Sequence, residues 1–256
     1  MSHTTDKSSA FNQGVLIFVY LAVLTVLEYF IAVTFQAVSI LVVVAIIKAA
    51  LVMYYYMHIY KLNEETDPDE NSHGYKTDTM RLGLWLFLLS DSFVFGGLMV
   101  ARLNLLGLTR PPLSQFLGLI VTAVLLISSF FMNRGETAMA HGDRKGFMMY
   151  TAITFFLGLG FLLGVVAVEW PNAAREGLTA SSSAMGAVFY MMTGMHAFHV
   201  FTGLIFLFVV WNNARKNVYS TEKHWGVEAA AVYWHFVDLV WIFFYPALYL
   251  IGKLVA

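Results

Sequence analysis

Five stretches of this chain each run for about 20 mostly apolar residues, the length an α-helix needs to cross a hydrocarbon layer ~30 Å thick. Two slightly more polar stretches accompany them. A backbone surrounded by lipid must satisfy its own hydrogen bonds, so runs of this kind are read as helices. The predicted spans are 14–35, 38–60, 81–106, 114–133, 147–168, 184–212 and 228–252. Composition agrees: 12% of residues are charged, about half the share usual in a soluble domain. The expected fold is therefore all-α, a polytopic membrane protein in which a two-helix hairpin precedes a five-helix bundle. An acidic linker at 63–80 divides the hairpin, residues 1–62, from the bundle, residues 81–256.

The breaks between spans carry turn and charge signals, as in "RPPLSQ", "NRGETAMAHGDRKG" and "EWPNAAREGLTASSS". The polar start "MSHTTDKSSAFNQG" lacks the basic opening and cleavage site of a secretory signal, so the first span is expected to be retained. Loops on the N-terminal side hold Lys7, Lys61, Lys76, Arg81, Arg134, Arg144, Lys145, Arg215, Lys216 and Lys223. The opposite side holds Arg102, Arg110, Arg175 and Lys253. That bias predicts a cytoplasmic N-terminus and a C-terminus outside. A net charge of −1 gives no reason to expect nucleic acid. The absence of cysteine excludes disulfides, iron–sulfur clusters, thiolate copper sites and thioether-linked haem.

Ionisable residues at membrane depth are rare and usually face other helices. Lys48 sits mid-way through "VVVAIIKAALVMYYYMHIY", and Glu28 lies equally far from the turn on the preceding span. An antiparallel hairpin brings the two to one depth, where an intramembrane ion pair or snorkelling of the lysine would explain the placement. Lys48 is not a retinal lysine, because opsin-like proteins carry theirs on the last helix. Asp91 is about ten residues into the third span, and Asp238 lies at a similar depth in the seventh. Glu228, His235 and Asp238 are spaced to share one helical face, as are His196 and His199 on the sixth span. These six residues are read as a buried proton or hydrogen-bond cluster. A metal site is the competing reading, but di-iron bundles use paired Glu-x-x-His ligands, and no such pair occurs within the predicted spans. Gly96, Gly97, Gly194 and Gly203 are expected to let helices approach closely.

The last two spans resemble a family signature. "FYMMTGMHAFHVFTGLIFL" followed by "EAAAVYWHFVDLVWIFFYPALYLIG" is similar to subunit III of haem–copper terminal oxidases, and "RLGLWLFLLSDSFVFGG" resembles the third helix of that family. The likeness covers about residues 75–253. "IIKAALVMYYYMHIY" resembles the small bacterial subunit IV of the same oxidases, which implies a fusion. The resemblance implies a non-catalytic subunit with no cofactor of its own, in a bacterial plasma membrane. Haem and copper would lie in the partner subunits I and II, and bound phospholipid is implied. Its work would be to brace the catalytic subunit and to support proton uptake and lipid or oxygen access. Asp91, with His199 as partner, leads the implied residues. The other readings are an accessory subunit of a nitric oxide reductase and a proton-coupled transporter. The chain lacks the internal repeats and broken helices common in transporters.

Overall fold

A computed structural model describes residues 7–35, 37–63, 69–70 and 72–254, with Leu254 described by its backbone alone. Among these residues the architecture is helical, and seven helices are long and apolar enough to span a membrane. They are built on α1 (Lys7–Thr34), α2 (Val38–Leu51, spanning with its continuation as Val38–Tyr56), α3 (His73–Leu106), α4 (Gln115–Ala140), α5 (Arg144–Leu163, spanning with its continuation and the short α6, Trp170–Arg175, as Arg144–Arg175), α7 (Ala184–Arg215) and α8 (Trp225–Tyr245, spanning as Trp225–Leu250). A 3-10 turn at Ile59–Asn63 follows α2. Two-residue strands β1 (Thr109–Arg110) and β2 (Lys253–Leu254) pair in parallel where α3 and α8 end.

Local chemistry starts these helices. The side chains of Ser72, Ser114, Asp143 and Ser183 each accept a backbone N–H of the first turn and so cap α3, α4, α5 and α7. The three π-helical stretches lie where α2, α5 and α8 run on, at Val52–Tyr56, Gly164–Glu169 and Pro246–Leu250. In the last of these, Pro246 has no N–H to give and crowds the preceding carbonyls, which widens the turn.

The core gathers around α8. In α8, 78% of the most apolar window is buried, against 11% in α3. The helix packs on α3, α4, α7 and the α2 region, while α1 lies along α2 and α4. The hairpin therefore shares its buried surface with the five later helices. Trp234 of α8 wedges between α5 and α7, where a Cβ at Gly158 or Gly203 would collide with its indole. Of the glycines expected to admit close approach, Gly203 does so and Gly194 has ordinary contact with Trp170. Gly96 and Gly97 have nothing within 4 Å: α3 turns that face away from the bundle.

Helix ends depart most from expectation. α1 begins at Lys7, α3 at His73 inside the expected 63–80 linker, and α4 continues to Ala140 through a segment expected as loop. Residues 1–6 of the expected polar start, Gln36 of the hairpin turn, and 64–68 and 71 of the linker lie outside the described residues.

Candidate functional site

The polar groups of the interior form several sites. Glu28 on α1 and Lys48 on α2 are both buried and joined by a direct ion pair, Nζ to Oε2. Lys48 thus has a nearby carboxylate and does not need to snorkel to an interface.

Asp91 on α3 meets His199 on α7, with Oδ2 and Nε2 at 2.9 Å but without the alignment of a full hydrogen bond. The other ring nitrogen, Nδ1, lies 2.8 Å from the Met195 carbonyl. A carbonyl only accepts, so Nδ1 carries the hydrogen there. The facing Nε2 and Oδ2 would be two acceptors unless a proton lies between them. The contact is therefore suited to holding one proton, shared by an imidazole and a carboxyl. Phe95 packs edge-on against this imidazole.

His196, one turn before, does not join them. Its ring is closed in by Phe161, Trp241 and Phe244, and neither nitrogen has a hydrogen-bond partner. Residues three apart on a helix diverge by about 60° around its axis. In a crowded bundle that is enough to send His199 towards α3 and His196 towards α5 and α8.

On α8 the expected face divides in the same way. Glu228, in the first turn, is drawn to Lys61 Nζ at 3.4 Å, Arg81 Nη2 at 3.3 Å and His224 Nε2 at 3.6 Å. His235 is fully buried, its Nδ1 is 2.6 Å from Ser129 Oγ on α4, and its ring lies against Tyr56. Asp238 borders a small cavity together with Lys48, Thr25 and Ser129. Among the six residues expected as one cluster, Asp91 and His199 make the one direct ionic contact.

Four participants escape a reading of the sequence. Glu136 and Glu169 fall in segments expected as loops, yet both are buried. Glu136 lies 3.8 Å from His58, and Glu169 accepts a hydrogen bond from the Tyr249 hydroxyl. His58 itself is pushed down to about 4, chiefly by burial and then by the charge of Lys61. Arg102, expected as a loop cation, is fully buried and donates to the carbonyls of Ala247, Gly107, Thr109 and Ile251. The signal is present in the sequence, because Arg102 lies inside the apolar span 81–106.

Among the described residues, no three His, Asp or Glu side chains are placed to hold a metal ion. His199 is held by a carbonyl and a carboxyl, His235 by a hydroxyl and His196 by aromatic rings instead.

Comparison with known proteins identifies the family. The family model described as cytochrome c oxidase subunit III matches residues 2–253. The chain belongs to the cytochrome c oxidase subunit III family. A cytochrome c oxidase subunit 3 from Thermostichus vulcanus is 38% identical over 179 residues, 67% of this chain and 87% of that protein. The Synechocystis protein of the same name is 35% identical over 200 residues, 74% and 84%. That of the lancelet Branchiostoma lanceolatum is 36% identical over 193 residues, 70% and 72%. The family match starts ahead of the hairpin and runs through it. A separate, subunit IV-like origin for residues 1–62 gains no support from it.

Proposed function

We propose that this chain, a non-catalytic accessory subunit of a haem–copper oxidase and a multi-pass membrane protein, braces the catalytic subunit I beside subunit II in a bacterial plasma membrane. Its N-terminus lies in the cytoplasm. Haem and copper belong to those partners, and the chain contributes scaffold, lipid contacts and support for proton uptake. The observation that carries the reading is the family match over residues 2–253. The distribution of burial supports it. α3 leaves Leu82, Leu86, Phe87, Leu89, Phe93 and Val100 uncovered, a long apolar face suited to lipid or to a partner subunit. A groove of about 300 Å³, lined by Phe87 of α3, Phe206 and Val209 of α7 and Ala229 and Tyr233 of α8, has an apolar lining suited to part of an acyl chain.

Asp91 and His199 join α3 to α7 next to that uncovered face, and their contact holds the face in place. The test is capture through a tag on this chain in mild detergent, followed by a reduced-minus-oxidised visible spectrum. Haem bands and oxygen uptake are expected in the eluate, with Asp91→Ala lowering the amount of this chain retained per haem. A colourless protein running alone would remove the oxidase assignment. Full haem content with oxidase activity abolished at once by Asp91→Ala would give Asp91 a direct part in the chemistry.

A further inference from the structure

Among the described residues, α8 carries buried polar atoms without a well-aligned hydrogen-bond partner at His235, Asp238 and Tyr245. At mid-membrane, between α1, α2, α4 and α8, lies a cavity with about 20 Å³ open to the centres of water-sized molecules. About 10–15 Å³ is enough for one water. Its polar lining is Thr25, Lys48, Thr122, Ser129 and Asp238. Asp238 is 6% exposed; neither carboxyl oxygen makes a well-aligned hydrogen bond to a protein group, and Ser129 is its nearest hydroxyl neighbour on the cavity wall. Thr25 donates to the Leu21 carbonyl, which leaves its oxygen able to accept. An ammonium has three hydrogens to give; Lys48 directs one to Glu28 and borders the cavity shared with Asp238.

A second, smaller cavity lies at the loop end of α8, lined by His58, Lys61, Arg81, Glu136 and Glu228. Glu228 and Asp238 are ten residues apart, about 15 Å along the helix axis. His235 stands between them. Its Nδ1 meets Ser129, its Nε2 has no partner, its ring lies against Tyr56, and His58 is its electrostatic neighbour.

Charge counting decides what such a site holds. One ammonium and two ionised carboxylates would leave a net negative charge among apolar residues, at a cost of several kcal/mol. One proton restores neutrality. Glu28 is the direct partner of Lys48, so the proton belongs on Asp238. We propose that Lys48, Ser129 and Asp238 bind internal water, and that Asp238 holds a proton exchangeable with the loop end of the bundle through that water and His235.

The transfer balances without any other reactant. Asp238 gives its proton to a cavity water, and that water passes one to Ser129 Oγ. Ser129 releases its own hydrogen to His235 Nδ1, and the hydrogen on Nε2 leaves towards the loop-end cavity. The reverse order returns it. Nothing is oxidised or reduced, and no covalent bond other than those to hydrogen changes.

The test is infrared spectroscopy of the whole chain in its purified complex, read without turnover and so independently of the oxidase assignment. A protonated-carboxyl C=O band is expected that shifts within minutes of transfer to D2O. Asp238→Asn removes it, and Asp238→Glu moves it. His235→Phe leaves the band in place and slows its exchange at least tenfold. If Asp238→Asn fails to assemble, the wild-type D2O response and the displaced band of Asp238→Glu carry the assignment. A spectrum whose protonated-carboxyl bands all survive Asp238→Asn overturns the proton. A band assigned to Asp238 that stays unshifted in D2O for a day overturns the water.

Discussion

His58 combines two uncommon features at one residue. Its backbone is left-handed, with φ 51°, and its imidazole is pushed from 6.5 down to about 4, first by burial and then by Lys61, with Glu228 opposing and Arg81 adding. A histidine that stays neutral when folded lets the unfolded chain take up a proton the native state refuses. That part of the stability is complete above pH 6.5 and is lost as pH falls towards 4. Each tenfold difference in proton affinity between the two states is worth about 1.4 kcal/mol. The side chain keeps 24% exposure, so water blunts the effect to about 1–2 kcal/mol. Thermal melts in detergent at the two ends of that window should therefore diverge, and His58→Asn should flatten the difference, since asparagine tolerates positive φ. An equal loss in the variant would place the pH dependence elsewhere. Residues of this kind are poorly legible in the sequence. Lys48, Asp91 and Asp238 stand out because charge interrupts an apolar run. Glu136 and Glu169 hide among the charges and turn residues that close a span, and only packing from α8 and its extension reveals them as buried.

The same asymmetry holds for whole helices. Seven spans are readable because each needs its ~20 apolar residues whatever its neighbours. Their ends are not, because capping by Ser72 and Asp143 lets α3 and α5 begin within charged segments. Which face of a helix is covered is also only partly readable: a glycine has the same letter whether it meets an indole or lipid. The contrast can be measured. A Cβ at Gly158 would overlap Trp234, whose indole N–H is held by Ser128 Oγ at 3.1 Å. Either the ring must turn away or α5 must move. Gly158→Ala should cost about 1–3 kcal/mol as overpacking and change the tryptophan fluorescence. Gly96→Ala, with nothing within 4 Å, should be neutral or stabilise by up to ~1 kcal/mol, as alanine restricts the unfolded chain more than glycine does. Equal melting shifts for the two variants would mean that the indole is not wedged.

Across the molecule, the ends of α3 and α8 are far apart in sequence and tied at one point. Arg102 leaves α3 as a buried cation with no carboxylate among its hydrogen-bond partners. Its Nε donates to Ala247 at 2.7 Å, Nη1 to Gly107, and Nη2 to both Thr109 and Ile251 at 2.9 Å. These four carbonyls belong to the loop after α3 and to the widened end of α8, and the β1–β2 pairing closes the same junction. Carbonyls exposed where helices end need donors, and a guanidinium fork offers five hydrogens in a fixed plane. Lysine keeps the charge but brings three hydrogens on a single nitrogen, too compact to reach both chain segments at once. Arg102→Lys should therefore leave one or two buried carbonyls unsatisfied, at about 1–3 kcal/mol each. The chain should melt earlier and be cut sooner by protease between Gly107 and Ser114, while α1, α2 and the Glu28–Lys48 pair stay protected. A variant as protease-resistant as the wild type would mean that the strand pairing alone holds the junction, and that Arg102 contributes charge without closure.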